Sequence, residues 1–413
     1  MLNSNMQPRS AAPTDPVVFI NTARDSVQAW VERHAYRGYE PFDGLMSYLR
    51  PLTFGTQLGD QLLQQVGRQS PFNLRPLLGI RPQESTKGRG YMAWGYLHKF
   101  VNDGDAESLV KAEQALDWLD RNKSKLYAKH SWGNVFDYVS RNGHIPRDES
   151  TIVWTGLIAQ AYLEAFERTG NERWLKIADS ACSWILDLPR ENTKNGVCLS
   201  YVAYKQNSVH NANMLGAAAL ARTWRHTGIH EYLDAARTAM EYSCRRQLDD
   251  GAWYYGEHPG YHWIDNFHTG YNLDSLKRYI KYSRDDSWRR NLEDGFGYFK
   301  RHFIAPDGCP RYYHNRQQPI DIQGCAQVID TLTLFSDEDR GSLDIALKVA
   351  EWTIRHMQDK DGHFYYRRYP LITAKAPMIH WGQATMFKAL AHLSTRLTEN
   401  GAGMPNEANE CVR

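Results

Sequence analysis

The 413-residue sequence predicts an all-α protein built as a ring of helical hairpins, and three periodic observations predict it. Six glycines, Gly95, Gly156, Gly216, Gly270, Gly324 and Gly382, recur at intervals of 61, 60, 54, 54 and 58 residues, each just inside a helical run. A unit of that length is one helical hairpin plus a connection, and it cannot bury its apolar face alone, so the copies must stack or close. A second set, Gly196, Gly251, Gly308 and Gly362, recurs 55, 57 and 54 residues apart, each after Asn or Asp and each followed by aromatics. Asn-Gly and Asp-Gly favour tight turns, so each copy ends in a turn and a short extended aromatic segment, and these segments are expected to gather at one rim. Finally, segments apolar on all sides alternate with amphipathic ones, which separates inner from outer helices.

Taken in order, residues 1–16 are polar and proline-marked rather than basic then apolar, which reads as a disordered lead-in and not a secretory signal. An amphipathic helix near Ala23 to Arg33 supplies an outer partner that the hairpins after Gly95 lack, and Phe54 to Val66 forms an additional helix. From there inner segments such as Met214–Ala221 are covered by protein all round. Outer segments carry stripes such as Trp174, Ile177, Ala178, Ala181, Cys182 and Ile185 with Arg173, Lys176 and Asp179 between. The ring glycines let neighbouring inner helices approach closely, at roughly 1 kcal/mol of helix propensity each. Residues 17–398 are expected to form one domain, with 399–413 a flexible tail.

A formal charge of +2 and a pI near 8.1 leave no basic footprint for nucleic acid, and no apolar run reaches the roughly 20 residues a membrane span needs. With no secretory signal the expected location is cytoplasmic. Six scattered cysteines without a CxxC pair read as reduced thiols. There is no HExxH, EF-hand loop, Walker A string or GxGxxG after a strand, so no cofactor is expected; a metal assembled from distant copies, Asp265 with His210 and His380, stays open.

If short inner helices converge, the residues before each ring glycine line one central cavity. These are Lys87, Arg89 and Tyr91; Glu149, Thr151 and Trp154; His210, Asn211 and Asn213; Asp265, Asn266 and His268; Asp321 and Gln323; and His380, Trp381 and Gln383. His268, His380 and Trp154 each lie two residues before their glycine, which makes them equivalent. Asp265 and His268 stand at i,i+3, where a carboxylate orients an imidazole and raises its basicity; the alternative is a helix cap beside a core histidine. Tyr254, Tyr255 and Tyr261 at the rim suit sugar faces, and Arg316, Arg311, Arg367, Arg368, Lys205 and Lys375 beside them favour an acidic sugar.

Such a ring with an aromatic, His/Asn/Asp-lined mouth resembles the (α/α)6-type toroids of carbohydrate enzymes, incomplete or closed: polysaccharide lyases, uronyl C5-epimerases, N-acylglucosamine 2-epimerases and six-hairpin glycosidases. More closely, the strings Gly38-Tyr39-Glu40-Pro41-Phe42-Asp43-Gly44, Asn73-Leu74-Arg75-Pro76-Leu77-Leu78-Gly79-Ile80 and Asp265-Asn266-Phe267-His268-Thr269-Gly270 are similar to those of a poorly characterised bacterial family from capsule and O-antigen clusters, over about Ala35 to His392. The resemblance implies an enzyme acting on an acidic, uronate-containing oligo- or polysaccharide. The expected reaction is β-elimination as a lyase. His268 or His210 takes the C5 proton, Asn211, Asn213, Asn266 and the basic rim hold the carboxylate, and Tyr271 or Tyr255 protonates the departing oxygen. A C5-epimerase shares the first half. Hydrolysis would need paired carboxyls such as Asp265 with Asp321, or Glu149 with either. Non-catalytic glycan binding or assembly is the remaining alternative.

Overall fold

The computed structural model describes residues 15–140 and 143–402, so most of the expected lead-in and tail falls outside the described residues. The first helix, α1 (Pro16–Arg33), starts where the Asp15 carboxylate accepts the Val17 N–H and Pro16 takes the first turn, whose N–H needs no partner. After α2 (Gln57–Gln69) come the hairpins α3 (Thr86–Asp103)/α4 (Ala106–Arg121), α5 (Ile152–Thr169)/α6 (Glu172–Leu186), α7 (His210–Thr227)/α8 (His230–Cys244), α9 (Asn266–Ser283)/α10 (Arg289–Phe303) and α11 (Ile322–Phe335)/α12 (Gly341–Met357). A π-type turn, Ile379–Ala384, leads into α13 (Thr385–Ala402), so the first residues of the expected tail are helical.

The odd-numbered helices from α3 to α13 pack each on the next, and α13 returns to α3, so the ring is closed. The sixth outer place is taken by α1, which lies on α13 and buries Ile20, Val27, Trp30 and Val31. The fold is an (α/α)6 toroid. Each ring glycine faces a neighbouring inner helix: a Cβ on Gly95 would stand 2.6 Å from the Phe387 ring, on Gly216 2.5 Å from Ile152, and on Gly270 2.5 Å from Gln327. Close approach therefore explains the first period.

The second period has a different cause. Gly251 has φ +94°, and an added Cβ would lie 2.4 Å from the Asp294 carbonyl oxygen of α10; Gly362 has φ +104°, and an added Cβ would lie 2.3 Å from the Ser26 carbonyl oxygen of α1. Each turn thus docks on the outer helix of the next hairpin, and the last docks on the first helix of the chain. The aromatics that follow are wedges between hairpins more than a rim: Trp253, Tyr312, Phe364 and Tyr366 are buried.

Short strands decorate the loops at the inner-helix entrances. They are the antiparallel pairs β1 (Tyr138–Ser140)/β2 (Gly143–Ile145) and β3 (Arg190–Thr193)/β4 (Gly196–Leu199), and a three-stranded sheet in the order β5 (Ile320–Asp321), β6 (Arg367–Arg368), β7 (Thr373–Ala374). Helix α2 begins later than Phe54 and turns polar residues inward. Gln64 exchanges two hydrogen bonds with the Val139 backbone of β1, and Asp60 accepts from Thr53. The segment between α1 and α3 is pinned by the buried Arg75–Asp43 pair at 2.8 Å, with Arg75 also donating to the Glu40 carbonyl. Bridges from Gly38 to Gln83 and from Tyr39 to Met378 hold it over the α13 side of the ring mouth.

Candidate functional site

Inner helices α3, α5, α9 and α11 are capped by the side chains of Ser85, Thr151, Asp265 and Asp321, each accepting from an N–H in the first turn. Counting from the cap residue gives a register that differs from the glycine one. Lys87, Asn211, Phe267, Gln323 and His380 each lie two past their cap, whereas His268 and Trp154 lie three past theirs. His268 and His380 are therefore not equivalent. The π-type turn before α13 displaces the second by a residue, and such turns recur at functional sites.

Side chains from opposite walls meet on the axis. Tyr91 on α3 and Tyr271 on α9, three helices apart around the ring, bring their hydroxyls to 2.9 Å. Gln323 Nε2 donates to the Tyr271 hydroxyl at 2.7 Å, and Lys87 Nζ lies 3.4 Å from the same oxygen. The Lys87 ammonium stands 4.9 Å from the Trp154 ring, which in turn lies 5.8 Å from the His380 ring. His380 Nδ1 is in direct contact with the Glu40 carboxylate, delivered by the segment between α1 and α3. Among the described residues, Trp154 Nε1, Asn211 Oδ1, Gln323 Oε1, Glu40 Oε2 and both His380 ring nitrogens are buried without a hydrogen-bond partner. Buried polar atoms are normally satisfied, so these are exceptions.

Electrostatics sharpen the floor. Burial pushes the Lys87 ammonium down to about 7, with Glu40 pulling the other way. Burial also lowers His380, opposed by Glu40 and reinforced by Lys87. The Tyr271 hydroxyl is raised by burial. Shifts of this kind concentrate where proton chemistry is done.

The second centre is at the mouth. Asp265 accepts the His268 backbone N–H at 3.0 Å through one oxygen, and its other oxygen meets His268 Nδ1 at 2.7 Å and Trp263 Nε1 at 3.0 Å. It is thus cap and orienting carboxylate at once, and the two readings left open by the sequence are not exclusive. The His268 side chain is 20% exposed, whereas Lys87, Tyr271 and His380 are buried. Tyr255 lies 4.6 Å from the His268 ring and stacks on Trp263 at 4.3 Å, with Tyr261 edge-on to Tyr255 at 5.7 Å. Phe267 links this wall to the floor, 5.4 Å from Trp381.

Other expected site residues are held elsewhere. His210 is buried with Nδ1 on Ser243 at 3.2 Å and Nε2 on the Glu257 carboxylate at 2.8 Å, so both ring nitrogens are engaged between α7, α8 and a loop. Asn213 binds the Leu199 N–H and the Ala239 carbonyl, Gln383 binds both backbone groups of Phe364, and Asn266 donates to the Arg311 carbonyl. These amides lock hairpins together. Asp321 accepts from Arg367 and Trp381, which engages the carboxylate and the arginine together. Glu149 accepts the Tyr127 hydroxyl at 2.6 Å. Tyr254 stacks on His262 at 4.3 Å, and Arg316 is exposed over the Tyr313 ring at 4.3 Å.

Glu40, which meets His380, was not among the candidates the sequence offered; it stands with Asp43 in a turn-rich string outside the repeats. Asp265, His210 and His380 take different partners and do not form one ligand set. Among the described residues Asp359, Asp361 and His363 have ligand atoms within 4.8 Å of one another in an exposed loop. Among the described residues five buried cysteines are free, and no helix is long and apolar enough to cross a membrane.

No family model matches this sequence, and no curated protein matches it. Solved structures do. A cellobiose 2-epimerase from Bacillus thermoamylovorans is similar at 11% identity over 93% of this chain and 99% of its own, with a TM-score of 0.62. An unsaturated glucuronyl hydrolase specific for heparin is similar at 12% identity over 94% and 98%, TM-score 0.63. A polysaccharide lyase is similar at 11% identity over 95% and 99%, TM-score 0.60. These likenesses establish the toroid over nearly the whole chain, and the same ring carries three different reactions in those proteins.

Proposed function

We propose that this protein is a carbohydrate-active enzyme that moves a proton on a sugar carbon next to a carbonyl or carboxylate, the step epimerases and lyases have in common. One observation carries the reading. Two imidazoles each have a carboxylate against Nδ1, His268 from Asp265 at the ring mouth and His380 from Glu40 at the floor, where polar atoms without a hydrogen-bond partner among the described residues gather. A carboxylate on Nδ1 fixes the tautomer that leaves Nε2 as the base. Two such bases at different depths suit removal of a proton from one face of a carbon and its return to the other, which is epimerisation.

A second reading, β-elimination, is favoured by Tyr271, whose hydroxyl stands beside Lys87 and Gln323 as an acid for a departing oxygen. Hydrolysis by paired carboxyls has less support, because Asp265, Asp321 and Glu149 are each engaged by other side chains. The test is product analysis after incubation with neutral and uronate-containing saccharides. A new epimer supports the first reading and an unsaturated product the second; release of reducing ends without either overturns both.

A further inference from the structure

We propose that Lys87 seats a carboxylate of the substrate, so that the sugar admitted to the ring floor is an acidic one; this rests on the reading of that floor as a saccharide site. Seven lysine and arginine residues of the described chain are buried. Six have a carboxylate within ion-pair distance: Arg24 with Asp103, Arg75 with Asp43, Arg222 with Glu164, Lys277 with Asp337, Arg367 with Asp321 and Lys388 with Asp330. Lys87 has none among the described residues. Its neighbours are the rings of Trp154, Tyr271 and Tyr91, at 4.9, 5.4 and 5.6 Å, and the Tyr271 hydroxyl at a long 3.4 Å.

Ring faces attract a cation but do not replace a counter-ion in a buried site. An incoming carboxylate would. The unpartnered atoms around it match such a guest: Trp154 Nε1 is a donor for the second carboxylate oxygen, and Gln323 Oε1 and Asn211 Oδ1 are acceptors for sugar hydroxyls. A carboxylate is favoured over a phosphate because the seat offers one cation and Glu40 lies near enough to act on both Lys87 and His380, so a dianion would be repelled. Acid recognition then belongs to the floor and not to the rim, where Arg367 already has Asp321.

An anion bound there raises the affinity of Lys87 for its proton, so binding above neutral pH is accompanied by proton uptake. The test is calorimetry at pH 8, in two buffers of different ionisation enthalpy, with D-glucuronate, D-galacturonate, their neutral parents D-glucose and D-galactose, and D-glucose 6-phosphate. The wild-type protein should bind one uronate at least tenfold more tightly than its parent and take up a proton. Lys87→Met should lose both while binding the neutral sugar within about threefold of wild type.

Equal affinity for acid and parent, no uronate binding, tighter binding of the phosphate, or unaltered preference in Lys87→Met would overturn the proposal. So would borohydride trapping of a sugar on Lys87, which would make it an imine-forming lysine. Should Lys87→Met not fold, proton uptake by the wild-type protein alone decides. Uronate binding with proton uptake but no exchange of any sugar C–H in D2O keeps this inference and removes the proton-transfer reading. Exchange on neutral sugars by the wild-type protein, with equal affinity for acid and parent, does the reverse.

Discussion

Asp265 shows how one side chain serves fold and site together: one oxygen caps α9 and the other orients His268. Asn caps helices about as well as Asp but cannot carry the charge that steadies an imidazolium. Asp265→Asn keeps an oxygen for the cap but turns an amide N–H toward Trp263 Nε1 and His268 Nδ1, so it is expected to cost roughly 1–3 kcal/mol of stability while lowering turnover roughly 100-fold, the size of a general-base contribution. Thermal melts and rates on the same preparation check both halves. Lys87 gives a prediction in pH. Burial holds its folded pKa at about 7, below the ordinary lysine value of 10.5, so the unfolded chain binds more protons between those values. The penalty for burying the ammonium is present in full below pH 7 and is relieved as pH rises toward 10. Denaturant titrations should find wild type gaining about 3 to 5 kcal/mol on Lys87→Met between pH 7 and 10, if the whole shift is expressed. A flat difference would remove the buried, unpaired ammonium from the account.

At the scale of elements, the two glycine periods were legible because each answers to a fixed contact repeated around the ring. A Cβ at Gly251 needs φ +94° and overlaps the Asp294 carbonyl, so Gly251→Ala should cost more than the 1–3 kcal/mol of ordinary overpacking. Gly67→Ala in α2, where nothing lies within 4 Å of the added carbon, should instead be neutral or stabilising by up to about 1 kcal/mol. Equal losses at both positions would contradict the docking of turns on outer helices. The entrances were legible as a set but not in register. The π-type turn at Ile379–Ala384 breaks the count from Gly382, so His380, aligned with His268 when counted from the glycines, takes the place of Phe267 when counted from the helix caps. Polarity at an inner-helix start signals either a site or a structural bond, and both ring nitrogens of His210 are engaged, by Ser243 of the same hairpin and by Glu257 of the loop after it. Aromatics after each turn likewise follow the demands of packing between hairpins.

For the molecule as a whole, closure of the ring by its first helix was foreseeable from the count of inner and outer segments. The cover was not. Residues between α1 and α3 belong to no repeat, so nothing periodic announced that they carry Glu40 to His380 or that α2 would turn Asp60 and Gln64 inward. Because α1 covers α13 and receives the Gly362 turn, deleting residues 1–33 should destroy cooperative unfolding, visible as a broad melt with dye-accessible apolar surface; a sharp transition at the wild-type temperature would contradict closure. The central claim is that His268 at the ring mouth and His380 at its floor act on one sugar held between them. Its most direct measurement is deuterium incorporation into a bound saccharide in D2O, followed by proton NMR for wild type, His268→Ala, His380→Ala and His210→Gln. The account predicts exchange in wild type and in folded His210→Gln, and its loss in both other variants. Exchange that survives in His268→Ala and His380→Ala would contradict it.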